Sequence, residues 1–270
     1  MRVLRSTHSA DISRLDTSQI RDRFLSTDLF RSGEITFVES EGDRIIVGGA
    51  VPHGQPLELV APEQLRAHFF LQRRELGIAV LSGSGTVETE NELFELVEHD
   101  VLYVGLGTKT VIFNGNAVFY LVSTIAHRKD PTVLSRKQDA EEVPIGTAAE
   151  SNARTIRKHI HEGGVASNQL AMGITTLEPG SVWNTLPPHT HERRTEIYLY
   201  FGLGDGLVSH FFGEPDSTRH IIVRDRQAVF SPPWSVHFGA GTRAYSFVWS
   251  TGGENMTYKD SESVTLPDLR

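Results

Sequence analysis

The chain repeats short sequence blocks in the same order in its two halves. The similar blocks pair residues 70–75 with 190–196, 105–109 with 239–243, and 121–124 with 248–251. Such a repeat indicates two copies of one structural unit. With 270 residues, the chain is long enough for two ordinary domains with apolar cores. The sequence therefore predicts domains over residues 1–127 and 151–270, joined by a linker over residues 128–150 that is rich in charged and turn-forming residues.

Most predicted elements are short β-strands. Runs of β-branched and aromatic residues, such as 44–47, 101–104 and 197–201, lie between glycine-rich turns. The clearest helix signal is a capped start at Asp16 with Gln19 three residues later, which predicts a helix to about residue 25. Strands at this spacing favour a sandwich or barrel over alternating strands and helices. The predicted fold class is all-β, with two related jelly-roll-type barrels and few short helices.

A pair of histidines in the second half has the spacing of metal ligands. His189 and His191 follow two prolines and precede the strand-like run 197–201. Side chains at positions i and i+2 point to the same face of a strand, so both imidazoles can contact one ion. Glu196 can add a carboxylate, although its odd spacing from His191 requires a bulge or kink within residues 192–195 to redirect it.

A fourth ligand, His237, ends a proline-containing turn over residues 231–237. Three histidines and one carboxylate suit Zn, Mn, Fe, Ni or Cu better than Ca or Mg. The alternative is that these are ordinary surface histidines, which a lone His-x-His pair leaves open. The added glutamate and distant histidine favour a metal site formed by His189, His191, Glu196 and His237.

The repeat also predicts which half binds metal. It pairs the three histidines with residues of the first half that cannot form a comparable ligand set, namely Phe69, Leu71 and Tyr103. The first barrel is therefore expected to be a filled, metal-free unit with a packing role. We expect about one ion per chain, as a single catalytic site requires.

Candidate residues for substrate and proton transfer flank the predicted ligands. Arg193 shares parity with His191 if the strand runs straight, and its guanidinium fork suits a substrate carboxylate. Tyr198 is a candidate substrate contact, and Tyr200 and Glu254 are candidate catalytic bases. Each residue also has a structural alternative. Arg193 could lie at an interface, Tyr198 and Tyr200 could fill the barrel interior, and Glu254 could lie in a surface turn.

Composition restricts the partners. The formal net charge is −8 and the pI about 5.8, which disfavours nucleic acid and anionic membranes. There is no cysteine, so disulfides and thiolate ligands are excluded. No apolar stretch approaches membrane-spanning length, and the first residues do not resemble a signal peptide. A small anionic substrate remains compatible, because it needs only local arginines.

The sequence resembles the 5-keto-4-deoxyuronate isomerase (4-deoxy-L-threo-5-hexosulose-uronate ketol-isomerase) family of bicupins over nearly its whole length. The stretches that carry the resemblance are 43–49, 73–77, 102–105, 183–185, 189–194, 253–255 and 268–270. A generic cupin turn has glycine where Trp234 stands, so the match depends on the family pattern. The resemblance implies Zn²⁺ or another divalent ion on His189, His191, Glu196 and His237. It also implies a cytoplasmic homohexamer.

The resemblance implies an aldose-ketose isomerase that converts 5-keto-4-deoxyuronate to 3-deoxy-D-glycero-2,5-hexodiulosonate in pectin breakdown. A divalent ion that polarises a carbonyl suits this chemistry. Three alternatives remain at the level of sequence: an Fe(II) cupin dioxygenase with a similar ligand set, the more distantly similar 5-deoxyglucuronate isomerase, and a binding or regulatory cupin without turnover.

Overall fold

A computed structural model describes residues 1–253 and 260–270, and most of them form short β-strands. The strands of the first half are β1 Arg2–Leu4, β2 Leu25–Ser26, β3 Ile35–Ser40, β4 Ile46–Ala50, β5 Leu57–Glu58, β6 Arg74–Ser82, β7 Ser84–Thr89, β8 Leu93–Val97, β9 Val101–Val104, β10 Val111–Gly115, β11 Val118–Ile125 and β12 Val133–Ser135. Those of the second half are β13 Glu141–Ile145, β14 Arg154–Ile160, β15 Ala171–Leu177, β16 His189–Thr190, β17 Arg194–Phe201, β18 Val208–Glu214, β19 Ser217–Val223, β20 Ala228–Ser231, β21 Val236–Gly241, β22 Ser246–Gly253 and β23 Glu262–Ser263.

Helices are few and short. The α-helix α1 spans Thr17–Phe24, and it begins at the predicted cap, where Asp16 accepts from the backbone of Gln19 and the Gln19 side chain accepts from the backbone of Asp16. Single 3₁₀ turns or short 3₁₀ helices cover Ser9–Arg14, Glu63–Leu65, Phe70–Gln72, Lys137–Asp139, Ala148–Glu150 and Leu266–Asp268. Within the described residues, no helix has the length and apolar content to cross a membrane.

Each half contributes one large sheet and one small sheet. The first half forms a seven-stranded sheet, β1-β3-β4-β11-β6-β9-β12, and a four-stranded sheet, β5-β10-β7-β8. The second half forms a seven-stranded sheet, β13-β14-β15-β22-β17-β20-β2, a three-stranded sheet, β19-β18-β21, and the pair β16-β23. The expectation of an all-β fold with few short helices is confirmed.

Two segments connect the sheet systems of the two halves within the described residues. Strand β2, near the start of the chain, pairs with β20 and so completes the large sheet of the second half. The segment predicted as a linker holds β12, which pairs with β9, and β13, which pairs with β14. The predicted domain limits at 127 and 151 stay predictions.

The long central strands are buried on both faces. In β17, every residue is buried. Ile197 and Leu199 belong to an apolar cluster that also contains Ala79 and Leu81 of β6, so this cluster joins the two large sheets. Tyr198 and Tyr200, at alternate positions, point to the other face and belong to the interior of the second barrel. The equivalent interior of the first barrel is a third apolar cluster.

A buried carboxylate also links the two halves. Glu75 is fully buried in β6 and accepts hydrogen bonds from the hydroxyls of Tyr103 and Thr124, both at 2.7 Å. It also accepts from three consecutive backbone N–H groups of the second half, residues 168–170, at 2.7, 2.7 and 3.0 Å. A buried carboxylate requires such compensation, because its desolvation is costly.

Replacing Glu75 should destabilise the fold. Glu75→Gln removes the charge and turns an amide N–H₂ group toward donors, so we expect the free energy of unfolding to fall by about 2–4 kcal/mol. Urea unfolding measures this value. The control is Glu88→Gln in β7, an exposed glutamate whose replacement should change stability by less than about 0.5 kcal/mol. Equal stability of the Glu75 variant and the parent would contradict a linking role.

Candidate metal centre

Three strands of the second half bring the predicted metal ligands together. His189 begins β16, Glu196 lies in β17 and His237 lies in β21. His191 lies between β16 and β17, just before a turn at residues 192 and 193. This turn is the predicted irregularity, and it redirects the chain so that Glu196 faces the same interior as the histidines.

The four side chains point one atom each at a common centre. The ligand atoms all lie within 4.8 Å of one another. His189 Nε2 is 3.1 Å from His191 Nε2 and 3.2 Å from His237 Nε2. Glu196 Oε2 is 2.8 Å from His191 Nε2 and 3.0 Å from His237 Nε2. Around one ion with metal–nitrogen bonds of about 2.0–2.1 Å, neighbouring ligand atoms lie about 2.8–3.4 Å apart for bond angles between about 90° and the tetrahedral angle, so the spacing fits an ion.

The hydrogen bonds of the imidazoles support the same conclusion. The Nδ1 atom of His237 lies 3.2 Å from the carbonyl oxygen of Ser235, and the backbone of Pro187 hydrogen-bonds the ring of His189. A neutral imidazole carries one N–H, and the tautomer that donates it to these carbonyls leaves Nε2 with a lone pair toward the centre. Two lone pairs facing each other repel, and a cation between them removes the repulsion.

Ionisation also suits metal binding. Burial lowers the pKa of His189 to about 3, which keeps its imidazole neutral at physiological pH. Burial by itself would raise the pKa of Glu196, but His237 and His191 hold it well below its usual range, so the carboxylate is charged. Neutral imidazole and ionised carboxylate are the forms that ligate metals.

Asp260 lies behind this group. It forms ion pairs with the buried Arg194 and with Arg193, whose Nη2 is 3.0 Å from its carboxylate. Its Oδ1 atom is 3.7 Å from Nδ1 of His191, the ring nitrogen that faces away from the centre. The contact is longer than a hydrogen bond, and a carboxylate on that side of a ligating histidine favours the tautomer whose N–H faces it. Asp260 is far from the ligands in sequence, so no local pattern indicated it.

The condition on which the parity argument for Arg193 depended is not met. Strand β16 ends at Thr190, and Arg193 lies in the turn before β17, so the strand does not run straight from His191. The Arg193 side chain is 38% exposed and pairs with Asp260. Its role in substrate binding stays a prediction. Arg194, one residue later, is buried and lines the cavity beside His189, His191, Glu196 and His237, which are called the metal group below.

The cavity beside the group has a volume of about 250 Å³, which suits a small molecule. His189, His191 and Glu196 line it together with Tyr198 and Arg154. Arg154 is 5% exposed and has no carboxylate oxygen within 4 Å among the described residues. Sequence reasoning missed Arg154, because it lies 35 residues before His189 with no motif around it.

The two candidate tyrosines have different surroundings. The hydroxyl of Tyr198 lies 2.9 Å from Thr185 Oγ1 at the cavity wall. Tyr200 is fully buried deeper in the barrel, where its hydroxyl is 3.0 Å from Asn184 Nδ2 and 2.7 Å from His210 Nδ1. Burial raises the pKa of Tyr200 well above its usual value, which makes it a poor base at neutral pH. Glu254, the other candidate base, lies outside the described residues.

The first barrel differs at the position that matches Glu196. In β17, Glu196 lies between Ser231 of β20 and Thr251 of β22. In β6, Leu76 lies in the same way between the corresponding strands of the first half, β9 and β11. An apolar residue thus replaces the carboxylate. The predicted pairing of Tyr103 with His237 is wrong, because Tyr103 points into the layer between the barrels and its hydroxyl donates to Glu75. The metal-free state of the first barrel stays a prediction.

Comparisons with known proteins agree with this architecture. The model of the KduI/IolB family matches residues 26–266. Two relatives, both called 4-deoxy-L-threo-5-hexosulose-uronate ketol-isomerase, come from Opitutus terrae and Lachnoclostridium phytofermentans. The first is 45% identical over 275 residues and covers 100% of both chains, and the second is 47% identical over 266 residues and covers 96% of both.

Solved structures show the same fold at low identity. An IolB-like protein from Salmonella typhimurium has a TM-score of 0.72 at 14% identity, covering 89% of this chain and 96% of that one. Bacillus subtilis oxalate decarboxylase, a protein with Mn(II) centres, has a TM-score of 0.57 at 13% identity, covering 83% and 72%. The predicted bicupin fold, with two jelly-roll-type barrels, is confirmed.

Removing one ligand should release the metal. His191→Ala deletes a ring that contacts both His189 and Glu196, so we expect metal affinity to fall by more than about 100-fold. Elemental analysis after dialysis against a chelator should give about one ion per parent chain and far less in the variant. The control is His220→Ala, an exposed histidine of the same barrel. Full zinc occupancy in His191→Ala would refute the assignment, and two tightly held ions per parent chain would refute a metal-free first barrel.

Proposed function

Because this chain belongs to the KduI/IolB family, we propose that it is a zinc-dependent isomerase of 4-deoxy-L-threo-5-hexosulose uronate, also called 5-keto-4-deoxyuronate. Its isomerase class follows from the names of full-length relatives. The proposed product is 3-deoxy-D-glycero-2,5-hexodiulosonate, and the proposed setting is pectin breakdown. The observation that supports this function best is a group of three histidines and one glutamate that opens into a small, arginine-lined cavity.

The residues fit a divalent cation, and we propose that His189, His191, Glu196 and His237 hold it. A divalent cation bound there supplies Lewis-acid polarisation of a substrate carbonyl. The protein orients this site through Asp260, which faces His191, and through the carbonyls of Ser235 and Pro187, which face the other two rings. These contacts set the ring orientations before substrate arrives, so binding does not have to order them.

The substrate carboxylate needs a cation in the cavity, and we propose Arg154. Its Nη1 and Nη2 donate to the carbonyls of Asn152 and Leu186 at 2.7 and 3.2 Å, which holds the guanidinium in place. The charge of Arg194, by contrast, is already matched by Asp260. Arg154 thus replaces Arg193 as the first choice, because Arg154 lines the cavity and its charge has no carboxylate partner among the described residues.

An aldose-ketose isomerisation moves a proton between neighbouring carbons, so the site needs a base near the reacting carbons. Tyr198 lines the cavity, and we propose that its hydroxyl contacts a substrate hydroxyl beside Thr185. Glu254 stays the proposed base, since it directly follows Gly253, which pairs with Arg194 at the end of β22. Tyr200 is less suited to that role, because its hydroxyl is bonded deep in the barrel to Asn184 and His210. A homohexameric assembly and a cytoplasmic location are further proposals that rest on the family resemblance.

The reaction should require metal but not oxygen, and it should take up solvent hydrogen. We expect deuterium in D₂O, at least in part, on the product carbon that derives from the aldehyde carbon of the substrate, because a base that carries the proton exchanges with solvent unless it is fully shielded. NMR of the product measures the incorporation, and the same assay without oxygen should give an unchanged rate. Absence of deuterium would favour a hydride shift between the carbons. A strict need for O₂ would refute the isomerase and favour an Fe(II) dioxygenase.

The two arginine assignments can be separated by paired variants. Arg154→Lys replaces a two-pronged donor with a point charge, so we expect KM to rise by about tenfold, equivalent to about 1.4 kcal/mol. Arg193→Lys should leave KM within about twofold, because a lysine can keep the partly exposed ion pair with Asp260. Steady-state kinetics give both values, and thermal unfolding verifies that each variant is folded. A reversed order of the two effects would return the carboxylate contact to Arg193.

A further inference from the structure

A second cavity lies in the first barrel, away from the metal group. Its volume is about 530 Å³, larger than that of the cavity beside the histidines. Three arginines, Arg44, Arg73 and Arg74, line it together with His127 and a single carboxylate, Glu39. The lining is therefore positively charged in a protein whose formal net charge is −8. Nothing in the proposed isomerase reaction uses this cavity.

Arg74 is the buried part of this lining. It is 6% exposed, and among the described residues no carboxylate oxygen lies within 4 Å of its guanidinium. Burial lowers its pKa to about 10, so it still carries a full charge at neutral pH. A buried cation without a close counter-ion is costly, and proteins normally pair such groups.

The guanidinium of Arg74 is held in a fixed orientation. Its Nε donates to the Ser123 hydroxyl at 3.0 Å, and Nη2 donates to the carbonyl oxygens of Ser123 and Arg44 at 2.8 and 2.5 Å. The other terminal nitrogen, Nη1, has no hydrogen-bond partner within the part of the chain that the structure describes. The guanidinium is therefore held rigidly while its Nη1 group can still donate hydrogen bonds. A guanidinium held in this way recognises oxyanions.

The second barrel shows how the same position is neutralised. Arg74 precedes Leu76 by two residues, and Arg194 precedes Glu196 by two, at matching places in the two large sheets. Arg194 is also buried, but it forms an ion pair with Asp260. In the first barrel Glu39 influences Arg74 only from beyond ion-pair distance. Arg74 therefore faces a cavity, whereas Arg194 faces the carboxylate of Asp260.

We propose that the first-barrel cavity binds a small oxyanion, either inorganic phosphate or the carboxylate of a sugar acid. Arg74 forms the buried contact, and the exposed Arg44 and Arg73 add positive charge at the rim. Glu39 opposes them and disfavours ligands with bulky anionic groups on its side of the cavity. This site is separate from the metal group and does not depend on the proposed isomerase activity.

Isothermal titration of the full-length protein with inorganic phosphate, and separately with D-galacturonate, tests the proposal at low ionic strength. We expect saturable binding of at least one of them, with Kd on the order of 1 mM, which corresponds to about 4 kcal/mol. In the double variant Arg44→Gln/Arg73→Gln, Kd should rise at least about tenfold, since two rim charges are lost while the buried bonds of Arg74 remain. Binding of phosphate alone identifies a phosphate site, and binding of galacturonate identifies a carboxylate site.

Two controls separate this cavity from other anion sites. Arg31→Gln removes an exposed arginine of the same half that pairs with Asp28 outside the cavity, and it should leave Kd unchanged. His191→Ala disrupts the metal group and should also leave Kd unchanged, which excludes anion binding to a metal ion. Arg73 donates to the carbonyls of Leu65 and Arg66, so the melting temperature of the double variant is measured as well.

The proposal is overturned if neither anion binds saturably in the millimolar range. It is also overturned if the folded double variant binds as tightly as the parent, or if His191→Ala abolishes the binding. Arg74→Met is a second variant for the buried contact, and complete loss of binding is expected there. Should that variant fail to fold, the comparison of the double variant with Arg31→Gln still decides the outcome.

Discussion

The apolar layer between the two large sheets is the constraint on which the rest of the structure depends. Because the layer takes one face of β6 and one face of β17, each strand leaves only its other face for a barrel interior. Strand alternation then decides every further position. Ile197 in the layer places Glu196 and Tyr198 on the barrel side. A shift of one residue would exchange the two faces, removing the carboxylate from the metal group and exposing charge to the apolar layer.

The buried charged side chains of the two barrels have roles other than apolar packing. Glu75 is compensated by hydrogen-bond donors from both halves, and it joins the halves. Glu196 is compensated by two histidines, and Arg194 by Asp260. Since an uncompensated buried charge is costly, each of these groups implies a partner. For Arg74 and Arg154, the described part of the chain supplies hydrogen bonds but no carboxylate within ion-pair distance.

The two barrels share a strand order and differ in what lines them. Leu76 and Glu196 occupy matching places, and this difference between an apolar and an ionised side chain separates a packed interior from a metal group. Both barrels keep an arginine two residues earlier. A repeated fold can therefore keep the same arginine in both barrels while, among the described residues, a cluster of candidate metal ligands is found in the second barrel, because ligands depend on single side chains and the fold depends on many.

Much of the site was readable from sequence because its pattern is local. The spacing of His189 and His191 predicted that both rings reach one centre, which the structure shows although His191 lies just after β16, and the parity of Glu196 required the turn at residues 192 and 193. The repeat and the short apolar runs predicted the two-barrel, all-β class, and the capping residues Asp16 and Gln19 predicted helix α1.

Non-local contacts decided the rest. Asp260 and Arg154 reach the site from distant segments, and no spacing in the sequence connects them to the histidines. The same turn that redirects Glu196 places Arg193 outside the cavity, and the sheet register assigns Tyr103 to the layer between barrels. Local sequence specifies which face a side chain takes on its own strand. Only pairing with other strands specifies which side chains meet across a barrel, because that register depends on the packing of the whole sheet.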